Sequence, residues 1–138
     1  MDRKISELTS LLFKTKQLIR QELPTQHDPN GWMRLEILNF IASRVETNMR
    51  DIALYLRIRP PSATSLVSTL QRDGLVVRRK SLQDKRTVLV SLTSKGNKAL
   101  GAYRITSERA LQRVFSRLEH SEIEILISVL TRLHESRD

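Results

Sequence analysis

The feature that most constrains this chain is a change of hydrophobic period at Gly74. Before it, apolar residues recur at three- and four-residue spacing, the mark of an amphipathic helix. After it, Leu75-Val76-Val77-Arg78-Arg79-Lys80 and Thr87-Val88-Leu89-Val90-Ser91 are β-branched runs separated by the polar stretch Ser81-Leu82-Gln83-Asp84-Lys85-Arg86. These predict a hairpin with a long charged tip. Upstream, Thr47-Asn48 supplies an N-cap for a short helix over Met49–Leu56 with Ile52, Ala53 and Leu56 inward. Arg57-Ile58-Arg59 is a turn. Pro60-Pro61 then opens a second helix to Asp73, since proline in a first turn loses no paired N–H, and Gly74 is a suitable C-terminal stop.

The flanks are helical. Residues 3–22 place Ile5, Leu8, Leu11, Leu12, Thr15, Leu18 and Ile19 at helical spacing, and Leu23-Pro24 ends that helix. Thr25 to Gly31 reads as a loop. A helix follows from about Trp32 to Ser43, with Leu35, Leu38 and Ile41 inward. Thr93 caps a long helix from near Ser94 to about Leu118. Ser121-Glu122-Ile123-Glu124 reads as a capping box for a last helix to about Glu135. The expected fold class is mainly α with a small β-hairpin. Two short helices, a tight turn and a two-stranded wing make a winged helix-turn-helix lobe over 31–98. Residues 1–23 and 99–138 are N- and C-terminal helices flanking it, and 1–138 is read as a single domain with no linker or repeat.

Charge falls on the same stretch. Residues 47–98 hold 11 of the 24 Lys and Arg but 3 of the 15 Asp and Glu, a local net of +8 out of +9. The flanks are close to neutral. Cationic charge concentrated on one compact element is the footprint of a phosphate-backbone binder, because each neutralised phosphate releases condensed counterions.

The second helix of the pair packs Ala63, Leu66, Val67 and Leu70 inward. That leaves Ser62, Thr64, Ser65, Ser68, Thr69 and Arg72 on other faces. Short hydroxyl side chains let a helix sit deep in a major groove and reach phosphates and base edges. Such residues are also poor intrinsic helix formers, which argues for a reason other than folding. The wing offers Lys85 and Arg86 to an adjacent minor groove. Strand alternation puts Arg78 and Lys80 on one side and Arg79 on the other, so only part of that trio can face DNA. An ordinary solvated turn is the plainer reading of Asp84 and Arg86. Their place at a wing tip favours the functional one.

The run Leu70-Gln71-Arg72-Asp73-Gly74-Leu75-Val76-Val77-Arg78, then Asp84-Lys85-Arg86, then Val90-Ser91-Leu92-Thr93-Ser94-Lys95-Gly96 resembles the MarR family of bacterial and archaeal transcription regulators. The resemblance is most specific over 62–100, and the helix order fits over the whole chain. It implies that Asp84 pairs with Arg86 or the neighbouring backbone and supports the wing, with Arg86 as minor-groove finger. Two departures stand out. Many relatives carry Asp-Arg-Arg where this chain has Asp84-Lys85-Arg86. The recognition helix often carries an arginine where this chain has Ser65, which removes a guanine reader and shifts weight towards shape readout.

The terminal helices carry more apolar surface than one small winged helix can cover. Ile5, Leu8, Leu12 and Ile19, then Leu100, Tyr103, Ala110, Leu111, Val114, Phe115 and Leu118, and finally Ile123, Leu126, Ile127, Leu130 and Leu133 form the stripes. An intramolecular bundle would bury them. The resemblance implies instead a two-fold homodimer, which predicts a near-palindromic double-stranded DNA site with recognition helices roughly 34 Å apart. The resemblance also implies a small aromatic or phenolic effector, for which Trp32, Met33, Arg34, Phe40 and Tyr55 are candidate lining residues.

Other chemistries are poorly served. There is no cysteine, hence no disulfide or thiolate zinc site, as suits a reducing cytoplasm. No apolar run approaches the ~18 residues of a membrane span, and the charged start Met1-Asp2-Arg3-Lys4 is unlike a secretory signal. His27, His120 and His134 form no catalytic or metal motif, and His120 with Glu124 is too few ligands for zinc. No enzyme activity, cofactor or metal is expected. The rival readings are a DNA-organising protein of the same fold without sequence preference and a protein-interaction module with a basic face.

Overall fold

The structure, a computed structural model, describes residues 2–23 and 31–135 and, at 31 and 32, the backbone alone. Most of the loop expected from Thr25, with His27, therefore lies outside the described residues, as does the Trp32 side chain. The elements in chain order are α1 (Arg3–Glu22), α2 (Gly31–Ala42), α3 (Met49–Leu56), α4 (Pro60–Arg72), β1 (Val76–Lys80), β2 (Val88–Leu92), α5 (Ser94–Phe115) and α6 (His120–Glu135). The chain divides into two compact units, Met1–Pro24 with Ser107–Asp138, and Thr25–Thr106.

The second unit is built around one apolar core. Ile37, Leu38 and Ile41 of α2, Ile52 and Ala53 of α3, Ala63, Val67 and Leu70 of α4, Val76 and Val90 of the hairpin and Leu100 of α5 are all buried in it. Burying branched side chains of this kind stabilises by about 1.5–3 kcal/mol each. The unit reaches past the expected boundary at residue 98, to Thr106. The reason is physical: Leu100 is 2% exposed within this core, and Arg104 donates to Asn39 Oδ1 at 2.9 Å.

Local signals position the helix pair and the wing. Asn48 caps α3 in a reciprocal box, its Oδ1 accepting from Asp51 N at 2.8 Å while Asp51 Oδ2 accepts from Asn48 N at 3.2 Å. Arg57 ends α3 in the left-handed region at φ 54, and the chain turns directly into α4 with proline at its first positions. β1 and β2 pair antiparallel, Val76 opposite Leu92 and Arg78 opposite Val90. The sequence hid a third edge: Val90 N donates to Thr47 O at 2.8 Å, and Asn48 bridges Leu89. The cap of α3 is thus also pinned to the wing.

The family-like run around Asp73 and Thr93 makes a junction. Thr93 Oγ1 donates to Gly74 O at 2.6 Å and accepts from Gly96 N at 3.0 Å. Thr93 N donates to Leu75 O at 3.1 Å, and Lys95 Nζ to Asp73 O at 2.8 Å. Gly74 takes φ 76, open to glycine without strain. The end of α4 is therefore locked to the start of α5.

In the first unit Leu23 and Ala110 are buried, and Arg113 Nε donates to Glu22 Oε2 at 2.8 Å. No residue of α1 or α6 is buried. α5 stops at Phe115, short of Leu118, where Leu118 N turns back to Phe115 O at 3.0 Å. The cap of α6 differs from the expected Ser121 box. Glu122 Oε2 accepts from Glu119 N at 2.8 Å, so the reaching acid sits three residues after Glu119, and Ser121 lies inside the helix.

Candidate nucleic-acid interface

α4 owes its inward face to Ala63, Val67 and Leu70. Opposite them Ser65 and Arg72, seven residues apart and so nearly in line on a helix, are both exposed. Ser62 and Thr69 share one flank. Thr64, Ser68 and Gln71 share the other. The six expected contact residues therefore do not all lie on one line. The outermost strip holds Ser65 and Arg72, with hydroxyls on either side.

Those hydroxyls are not equivalent. Thr64 Oγ1 donates to Pro60 O at 3.0 Å, and Thr69 Oγ1 donates to Ser65 O at 3.1 Å. Ser68 Oγ instead accepts from Arg78 Nη2 at 3.1 Å, and Arg78 Nε donates to Gln71 Oε1 at 2.7 Å. Arg78 lies on the strand face of the buried Val76, opposite the buried Val90, so its side chain runs over α4. Lys80 and Arg79 are exposed on opposite strand faces. Gln71 was not among the expected site residues. Its signal was present, since it shares a flank with Thr64 and Ser68 at helical spacing.

The wing tip is shaped by short-range bonds. Ser81 N donates to Thr87 O and Thr87 N to Asp84 O, both at 2.9 Å. Asp84 Oδ1 accepts from Arg86 N at 3.0 Å and from Arg86 Nε at 3.4 Å. The Arg86 side chain is nonetheless 93% exposed, and Lys85 beside it is exposed.

Every carboxylate in residues 47–98 is engaged locally. Asp51 caps α3 and meets Arg44 at 3.4 Å, Asp73 pairs with Arg34, and Asp84 pairs with Arg86. Local pairing holds each negative charge beside a cation, while Arg72, Arg79, Lys80 and Lys85 stand exposed. The resulting positive field favours a polyanion.

Among the described residues, four of the candidate effector residues make contacts with their neighbours. Phe40 and Tyr55 stack on each other, centroids 4.2 Å apart, with the Arg44 guanidinium 5.2 Å from the Phe40 ring centre. Met33 packs on the core, and Arg34 is drawn to Asp73. A cleft of about 220 Å³ in this unit is lined by other residues, among them Ile41, Arg44, Thr47, Val90 and Asn97. His120 Nε2 lies 3.2 Å from Glu124 Oε1. Among the described residues no cluster of three or more His, Cys, Asp or Glu could hold a metal, and no helix is long and apolar enough to cross a membrane.

The chain matches known proteins over the winged lobe and beyond it. A family model described as MarR family matches residues 31–87, from α2 to the wing tip. The chain is 27% identical over 103 residues to the uncharacterised HTH-type transcriptional regulator YdgJ of Bacillus subtilis, a match that spans 75% of this chain and 63% of that protein. Its fold is that of a MarR family protein from Bacillus stearothermophilus, with a TM-score of 0.80, 22% identity and 99% and 97% of the two chains covered. It also matches a S. aureus MepR mutant bound to an oligodeoxyribonucleotide, with a TM-score of 0.63, 23% identity and 100% of both chains covered. The winged lobe, its locked helix junction and the family model agree: over residues 31–87 the chain is similar to the MarR family.

Proposed function

We propose that this chain is a sequence-specific double-stranded-DNA-binding transcription regulator, acting in the cytoplasm as a homodimer on a near-palindromic site. The observation that carries the reading is the pairing of two elements on one rigid lobe: the hydroxyl-bearing outer face of α4, and a wing whose Arg86 is held by Asp84 yet 93% exposed. Ser62, Thr64, Ser65, Ser68, Thr69 and Arg72 then serve the major groove, with Lys80, Lys85 and Arg86 on the backbone and minor groove. Arg78 belongs to the same site. The DNA-bound MepR relative supports the partner class.

The homodimer rests on the bare apolar faces of α1 and α6, where Leu8 and Leu130 are 51% and 47% exposed in the single chain. A small aromatic effector would act by favouring a dimer whose recognition helices are wrongly spaced for DNA.

The test is titration of the purified protein with duplex DNA across a salt series. An account with six to ten phosphate contacts expects a loss of roughly 10³–10⁵ in affinity between 50 and 200 mM salt. Absence of binding at 50 mM salt would overturn the proposal.

A further inference from the structure

We propose that Arg78 sets the hydrogen-bonding polarity of the recognition helix. By occupying acceptor positions on Ser68 and Gln71, it makes both present donors to a base edge. The inference rests on the DNA-binding reading above and adds which base chemistry this flank reads.

The geometry is specific. Arg78 Nη2 donates to Ser68 Oγ at 3.1 Å, and Arg78 Nε donates to Gln71 Oε1 at 2.7 Å. A guanidinium has only donors in a planar fork, so it fixes its two partners as acceptors towards itself. The Gln71 oxygen faces the arginine, and its amide NH₂ is turned away from it. The Ser68 hydroxyl has given a lone pair to a cation, which favours using its proton as donor elsewhere. Arg78 itself is half-buried on the strand face that packs towards α4, which suits bracing better than reaching for a phosphate.

At the two threonines, Thr64 on this same flank and Thr69 on the other, the polarity is opposite. Thr64 and Thr69 spend their hydroxyl protons on the carbonyls of Pro60 and Ser65. What they offer outward is lone pairs. In the major groove guanine presents the acceptors N7 and O6, thymine O4 and adenine N7, while cytosine N4 and adenine N6 are donors. The Ser68–Gln71 flank therefore matches guanine best, finds one acceptor on thymine or adenine, and is mismatched with cytosine, whose amino group is a donor. The threonines match amino groups.

The experiment selects preferred sites from a randomised duplex library with the wild-type protein. It then measures affinity for every single-base variant of the half-site, at several salt concentrations, for wild type and for Arg78→Ala, Arg78→Lys, Ser68→Ala and Gln71→Ala. The expected result is that Arg78→Ala and Arg78→Lys each lose about tenfold in preference at one position per half-site, within the usual cost of one mismatched pair. Ser68→Ala or Gln71→Ala should relax the same position, and the salt slope of Arg78→Ala should stay that of the wild type. Lysine keeps the charge and lacks the fork, so its failure to rescue separates bracing from simple charge. Should Arg78→Ala not fold, as judged by its thermal melt, the lysine and Ser68 variants carry the test alone.

Two results would overturn the proposal. One is uniform weakening across all sequences with the salt slope reduced by about one per protomer, the mark of a phosphate contact. The other is unchanged preference at every position. Failure of the wild-type protein to bind any duplex would instead strike the DNA-binding reading itself, and is seen before any variant is made.

Discussion

Asp84 Oδ1 receives two donors from a single residue, the backbone N–H of Arg86 at 3.0 Å and its guanidinium Nε at 3.4 Å. The contact bends the tip so that the arginine projects while its root is held. An exposed ion pair adds only ~0–1 kcal/mol to stability, so the bond matters for shape more than for folding. Removing the Asp84 charge would by itself strengthen attraction to DNA. Comparison of Asp84→Ala with Asp84→Asn cancels that effect, since both are neutral and asparagine alone keeps an acceptor. The asparagine variant should bind a labelled duplex up to about fivefold more tightly than the alanine variant, as a difference of up to ~1 kcal/mol implies. Equal affinities in fluorescence anisotropy would remove Asp84 from the wing's architecture.

Arg86→Ala isolates the finger. With a side chain 93% exposed, it contributes little to packing, and the melting temperature should stay within about 2 °C of wild type, as for surface substitutions in general. Affinity for a specific site should fall, and the slope of log K against log salt should become shallower by about one per protomer. An unchanged affinity would reject the wing contact.

Gly96 tests the junction between α4 and α5. A Cβ there would collide with the carbonyl oxygen of Leu75, which already accepts from Thr93 N at 3.1 Å. Backbone cannot yield as a flexible side chain does. Gly96→Ala should therefore destabilise the lobe by about 1–3 kcal/mol, the usual cost of overpacking. Urea unfolding monitored by circular dichroism measures it, and an unshifted midpoint would show that the junction is looser than the structure has it.

The homodimer can be tested from the apolar faces of the first unit. Sedimentation velocity at micromolar concentration should show a dimer. Leu8→Asp or Leu130→Asp, each placing a charge on one of those faces, should shift it towards monomer and weaken DNA binding with it. A wild-type monomer at this concentration would contradict the two-fold arrangement.

Much of the lobe was legible because its signals are local. Asn48, Pro60, Gly74 and Thr93 each act through bonds within a few residues or through backbone preference, and the element boundaries they mark hold to within a residue or so. The errors arose where the deciding partner is distant in sequence. Ile37 is fully buried though outside the expected α2 stripe, because α2 is enclosed on more than one side. The edge made by Thr47 and Asn48 against β2 depends on residues some 40 positions away, which no periodicity registers. Arg78 shows the same limit: alternation gave its strand face correctly, but only the packed structure joins it to Ser68 and Gln71. At α6, two acids and a serine competed for one cap, and the outcome turned on which carboxylate reached back to Glu119.

The outer face of α4 and the Arg86 wing together are expected to read a particular duplex. Competition at physiological salt between a site selected from genomic DNA and a scrambled duplex of equal length measures this most directly. The account predicts a preference of roughly 10³-fold or more for the selected site. Equal affinity for the two would contradict it, leaving a protein that holds DNA without reading it.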